Sequence, residues 1–330
     1  MLKIFNIQTT FQVTEPLLSW HSKSAITGYK EHEEGVIVAK VSWLRADCGM
    51  IRIVVHRFGD VKERFVEEVL EILNDCYNRL GAHAVKIVDI YIFEKSSSMS
   101  AFMNDEKRKL GIKTSAFEES FLAVHDAWHG TPRIMVAYDK MFRVPELVGI
   151  GGLRHEVAHT MLHGSLEYYS FPMPMFLLEL ERNAVISRQI IRDLVYLASI
   201  AVKDYEVTRL LCERGYVEDQ VAYSEYYLQP SEEELEAWKL AEKNRTARLI
   251  FLVSVLKTAC CAAPLLNDEI YGEEILKNIT RSMYFLPAKL FVRLLKILEE
   301  ASKFGRNTHE NVDRFIKEII DLEFGSYTNS

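Results

Sequence analysis

The chain has no surplus of positive charge, no paired-cysteine motif, no internal repeat and no low-complexity segment. Its 40 Lys and Arg stand against 47 Asp and Glu, a formal net charge of -7. Phosphate binding needs a basic surplus, so no nucleic-acid partner is expected. Cys48, Cys76, Cys212, Cys260 and Cys261 form no C-x-x-C pair, and the one close pair is directly adjacent, which suits neither a zinc knuckle nor a disulfide framework. A reducing compartment, the cytoplasm, fits that usage. The opening MLKIFNIQTTFQVTEP has no apolar core of signal-peptide length, so neither export nor a cleaved leader is expected. Long apolar runs are scarce as well. The one membrane candidate, Leu249 to Leu266, is divided by Lys257 and ended by Pro264, so a buried helix and no stable membrane association are expected. What the chain does have is apolar bulk: 48% of its 330 residues are hydrophobic, enough for one large core or two smaller ones and too much for disorder.

The first half alternates strand-like and helical patterns, whereas the second is almost wholly helical. The change falls near Pro172 and Pro174, which divides the chain into an α/β unit over 1–173 and an all-α unit over 174–330. Gly35 to Leu44 and Met50 to Arg57 are rich in Val and Ile and flank Asp47, Cys48 and Gly49, the pattern of an antiparallel pair. Asp60 with Glu63 reads as a capping box, Phe65, Val66, Val69, Ile72, Leu73 and Cys76 recur at helical spacing, and Gly81 supplies a stop. Val85 to Phe93 is another strand. Phe121 to Trp128 and Arg133 to Lys140 form a hairpin around His129, Gly130, Thr131 and Pro132. A helix follows from Pro145 to Gly164, with Leu147, Ile150, Val157 and Met161 facing the core and Gly149, Gly151 and Gly152 allowing close backbone approach. Further helices are expected at about 175–196, 198–213, 231–262, 268–281, 286–303 and 308–322, with Pro230, Ser231 and Glu234 capping the third.

That central helix carries HEVAH. His155 and His159 stand about 6 Å apart along the axis on one face, so both imidazoles can reach a single metal ion. Glu156 projects beside them, where a carboxylate can take a proton from an attacking water and pass it to a leaving amine. His163 lies about 12 Å from His155 along the same helix, too far to join both at one ion, and reads instead as a partly cationic residue at the helix C-terminus. A catalytic zinc ordinarily takes three protein ligands. The lead candidate for the third is Asp204, which shares a helical face with Ile200, Val207 and Leu211, so that a carboxylate points among apolar neighbours and needs a partner. Glu179, Glu181, Glu206 and Glu167 are the other candidates, the first two also being explained as first-turn acids of the next helix.

The HEVAH stretch resembles the active-site helix of the zincin metallopeptidases, with the uncharged Leu153, Val157, Ala158, Thr160 and Met161 where that superfamily favours such residues, and with Gly152 where Val or Thr is usual. The segment DYEVTRL is similar to the E-x-E-A-D-R region of a gluzincin branch in which the first acid binds zinc. Asp204 stands here for that Glu, and Thr208 for the Asp. The resemblance implies an α+β zincin-like N-terminal half (a mixed sheet with an edge hairpin and the active-site helix), followed by a mainly α-helical half that supplies the third ligand. It also implies a zinc cofactor, a peptide or protein substrate, and a substrate-binding edge strand, a role it assigns to Arg133 through Lys140. An oxyanion-stabilising group could come from Tyr168, Tyr169, Tyr223, Tyr226 or Tyr227, none of which is singled out. His125 and His129, flanking the hairpin loop, are expected to face solvent. Two other readings remain: a helical protein-binding scaffold with a structural or silent zinc site, and a zinc hydrolase acting on a non-peptide amide.

Overall fold

The computed structural model describes residues 38–46, 49–81, 83–111 and 121–325. The opening segment, residues 35–37 of the first expected strand, and Asp47 and Cys48 of its turn lie outside the described residues. The architecture is α+β, a mixed five-stranded sheet followed by a long helical region.

Val- and Ile-rich segments build the sheet. β1 (Val38–Ala46) and β2 (Gly49–Phe58) pair antiparallel, β3 (Ile87–Phe93) joins β2 in parallel, β5 (Arg133–Ala137) joins β3 in parallel, and β4 (Ala123–Asp126) runs antiparallel along β5. The order is β1-β2-β3-β5-β4. Alternation sorts the side chains onto two faces. Ile51, Ile53, Val55, Val88, Ile90, Ile92, Ile134 and Val136 pack beneath α1 (Glu63–Leu80) and α4 (Glu146–Leu162), while Phe93, Met135 and Ala137 pack with Met99 and Met103 of α2 (Ser96–Lys109). A single helical turn, α3 (Tyr138–Met141), connects β5 toward α4.

The hairpin forms, but its edge is the other strand. All five residues of β5 are buried between β3 and β4, so the edge role assigned to Arg133 through Lys140 falls to β4 among the described residues. A parallel neighbour requires a crossover, and α2 delivers the chain past β3 so that the return strand β5 inserts beside it. Nothing in the sequence reading anticipated α2, whose polar composition conceals a stripe of Met99 and Met103 one turn apart.

Other local expectations shift for physical reasons. Asp60 does not cap α1: its N–H donates to Glu94 Oε2 at 2.8 Å, Gly59 turns at φ +86°, and the helix begins at Glu63, which pairs with Arg57 at 2.6 Å. Gly81 does end α1, at φ +86°. Leu147 is 46% exposed, and Val148 and Leu153 take the inward positions with Val157.

The helical region comprises α5 (Met175–Arg182), α6 (Arg188–Glu213), α7 (Val217–Tyr227), α8 (Glu232–Ala241), α9 (Arg245–Ala262), α10 (Gly272–Ser282), α11 (Ala288–Ala301) and α12 (Thr308–Phe324). The expected helix 175–196 breaks at Ala184, whose φ is +55°, and its second part runs unbroken into α6 from the Ser187 cap. The expected 231–262 divides where Asn244 caps α9, and α7 was missed. Ser231 caps α8, accepting from the Glu234 N–H at 3.3 Å. The segment Arg245–Asn267 is long and apolar enough to cross a membrane, yet Leu249, Leu252, Val253, Leu256 and Ala259 are buried in the helical core. α6 belongs to both cores: Ile191, Leu194, Ala198, Ala201 and Val202 pack among helices, and Val207 and Leu211 pack with the sheet's helices.

Candidate metal centre

The face that α4 turns toward α6 carries a histidine every fourth residue, at 155, 159 and 163. Helical period places these imidazoles in one row, and α6 crosses the row with Asp204 and Glu206. Three donor atoms converge there: His155 Nε2, His159 Nε2 and a carboxylate oxygen of Asp204 all lie within 4.8 Å of one another. The two imidazole nitrogens are 3.2 Å apart, and Asp204 Oδ1 is 3.2 Å from His159 Nε2 and 3.8 Å from His155 Nε2. His155 and His159 are buried, whereas the Asp204 side chain keeps 22% of its exposure, so the cluster reaches solvent through the carboxylate.

Glycine in α4 makes this approach possible. A Cβ on Gly151 would overlap the Asp219 carbonyl of α7 and stand 3.0 Å from Tyr223 Cβ, and one on Gly152 would lie 3.2 Å from the Tyr223 ring. α7 therefore rests directly on the α4 backbone, which sets the Tyr223 ring 5.2 Å from that of His155. Arg154, beside the α7 contact, pairs with Asp219 and, at 3.2 Å, with Asp75 of α1, and lies 4.1 Å from the Tyr216 ring centre. Gln220 donates to the Gly151 carbonyl at 3.1 Å and to Asp219 Oδ1 at 3.0 Å. Its amide oxygen and His155 Nδ1 are both buried polar atoms without a well-formed partner, and Gln220 helps to favour the His155 imidazolium.

Burial and charge pull the titratable groups in opposite directions. Burial disfavours the His155 imidazolium, but the nearby Asp204 carboxylate outweighs it and raises the pKa. For His159 burial wins, and the pKa drops to about 4 despite Asp204. Asp204, although desolvated, is held well below the usual carboxylate range by its contacts with both imidazoles. Glu156 is pushed up to about 7 by burial and by Asp204, against the opposing pull of His155 and of the backbone N–H of His125.

The remaining sequence candidates occupy other places. Glu179 and Glu167 are exposed, and Glu181 pairs with Arg188 at 2.8 Å. Glu206 is buried behind the cluster, 3.0 Å from His163 Nε2. His163 does cap α4, but it is 1% exposed with its pKa well below the ordinary value through burial, so the expected partly cationic terminus is corrected to a neutral interior histidine. Thr208 contacts Cys261 Sγ at 3.6 Å.

His129 is exposed as expected, whereas His125 is not a solvent-facing loop residue. It lies in β4, stacks on the His159 ring at 5.6 Å with 4° between planes, and has Nδ1 3.2 Å from the Tyr169 hydroxyl. Strand parity was the signal available: His125 shares the face of Ala123, which points toward α4. Tyr227 packs on Tyr223 at 5.0 Å, and Lys203, whose pKa burial lowers to about 8, donates to the Tyr168 carbonyl at 3.3 Å.

Searches of protein-family models, curated proteins and solved structures found no match to this chain. Zinc bonds of about 2.0–2.2 Å in tetrahedral array place donors about 3.3–3.6 Å apart, and the spacings of 3.2, 3.2 and 3.8 Å lie within a few tenths of an ångström of that range. Two nitrogens and one oxygen are also a donor set that zinc accepts.

Proposed function

We propose that the chain is a zinc-dependent metallopeptidase of zincin type that hydrolyses peptide bonds, with His155, His159 and Asp204 holding the ion and Glu156 handling the proton. The convergence of those three donors beside a buried carboxylate is the observation that carries this reading. Zinc held there would act as a Lewis acid toward the scissile carbonyl and make a water more acidic. The protein's part is to orient and to exchange protons. Glu156, whose pKa burial raises in the metal-free protein, is placed to accept a proton from the attacking water and release it to the departing amine. β4 is one of the two edge strands among those described and carries His125 against the site, so an extended substrate added along it would bring its backbone past Glu156. The aromatic rings of Tyr169 and Tyr223 flank the same space.

The test couples metal content to turnover. Protein purified without added zinc should contain stoichiometric metal that His155→Ala abolishes, and it should cleave members of a peptide library that Glu156→Gln leaves intact. Metal retained by both proteins with equal background cleavage would replace the enzymatic reading with a silent or structural zinc site on a helical scaffold. Cleavage confined to non-peptide amides would move the substrate class and leave the metal chemistry standing.

A further inference from the structure

A continuous chain of hydrogen bonds runs away from the cluster. His159 Nδ1 is 3.1 Å from His163 Nδ1, and His163 Nε2 is 3.0 Å from Glu206 Oε2. That carboxylate also accepts from Thr308 Oγ1 at 2.8 Å and, through Oε1, from Asn311 Nδ2 at 2.6 Å. Thr308 and Asn311 open α12, more than 100 residues along the chain, and every side chain named is buried.

The direction of donation along this chain is forced from its far end. An ionised carboxylate accepts only, and Glu206 already accepts from Thr308 and Asn311, so His163 donates from Nε2. A neutral imidazole with its proton on Nε2 offers a lone pair at Nδ1, so His159 must donate from Nδ1. The proton of neutral His159 is then committed to that side, and its Nε2 lone pair faces Asp204 Oδ1, 3.2 Å away. Two acceptors in contact need a positive charge between or beside them.

We infer that Glu206, acting through His163, is a positioning residue for the metal centre, fixing His159 in the tautomer whose Nε2 lone pair points at the site. The inference rests on the zinc reading proposed above. It assigns α12 a part in the centre, since Thr308 and Asn311 hold the Glu206 carboxylate in place. It also gives a reason for the third histidine of the row, which is too far from His155 to share an ion with it.

The experiment is a zinc titration against a competing chelator, carried out on the full chain as wild type, His155→Ala, His163→Phe, Glu206→Gln and the last two combined. The melting temperature of each metal-free protein is measured alongside. Wild type should bind one zinc that His155→Ala loses. His163→Phe and Glu206→Gln should each weaken binding about 10- to 100-fold. The combined variant should bind no more weakly than His163→Phe alone, because Glu206 then has no path to the ligand. A structural role would lower the metal-free melting temperature and leave the zinc affinity alone. Wild-type affinity in either folded single variant, or losses that multiply in the combined one, would overturn the inference while leaving the metal site intact. If His163→Phe does not fold, Glu206→Gln decides alone: weaker zinc binding at an unchanged metal-free melting temperature supports the relay, and unchanged binding ends it. Wild type without any zinc sensitive to His155→Ala would remove the proposed function itself, and this inference with it.

Discussion

Glu156 can be separated from the metal donors because it is none of the three atoms that converge. Replacing it with Gln keeps the volume and removes the base, so turnover should fall by about 100- to 10,000-fold with zinc stoichiometry unchanged. Steady-state kinetics and metal analysis on one preparation measure both. Loss of zinc together with activity would instead make Glu156 part of the donor set. Neutral His155 and His159 are needed to bind, and His155 is the one whose pKa is raised in the metal-free protein. Zinc affinity should therefore fall as pH drops below that raised value, where a proton competes for Nε2. Affinity measured across the neutral-to-acid range that stayed flat would contradict ligation by this imidazole. Spacing made His155, Glu156 and His159 legible in advance. His163 and Glu206 were misjudged because helical period says which face a residue occupies and nothing about what the next helix brings against it.

The contact between α4 and α7 gives a sharper structural prediction. Gly151→Ala would ordinarily favour a helix by close to 1 kcal/mol, but here the new methyl meets a backbone carbonyl that cannot rotate away. A net destabilisation of about 1–3 kcal/mol is expected, read as a lower urea midpoint, and the displacement of Tyr223 should weaken zinc binding as well. Gly305→Ala, where no atom stands within 4 Å of the added carbon, is the control and should leave zinc binding unchanged. The glycine cluster was correctly expected to serve close backbone packing, although the partner helix α7 was not foreseen. Its sequence mixes Glu218, Asp219 and Gln220 with three tyrosines and shows no clean apolar stripe. What buries it is the grooved surface of α4, a tertiary property.

The shared helix α6 joins the sheet's core to the helical core, and the candidate centre sits on it between the two. An α/β unit over 1–173 and an all-α unit over 174–330 would each lack part of their packing if cut apart. Urea unfolding followed by zinc-site occupancy and by far-ultraviolet circular dichroism should show coincident transitions, and a fragment ending at 173 should not fold. Two resolved transitions would instead support division into the two units. Free zinc at one hundred times its dissociation constant should stabilise the whole chain by about 2.7 kcal/mol, an increment that His155→Ala abolishes.

By itself the sequence determined what is local and periodic. It specified the strands of Val and Ile, the hairpin, the HEVAH helix and the inward face of Asp204, because side-chain direction along one element follows from that element's geometry. Tertiary structure decided which strand became the edge, that α6 ran unbroken from Arg188, and that His125, His163, Glu206 and Gln220 gathered around the two imidazoles. Those outcomes depend on contacts between segments tens to more than a hundred residues apart, where packing and hydrogen-bond satisfaction choose among partners that local pattern leaves equivalent.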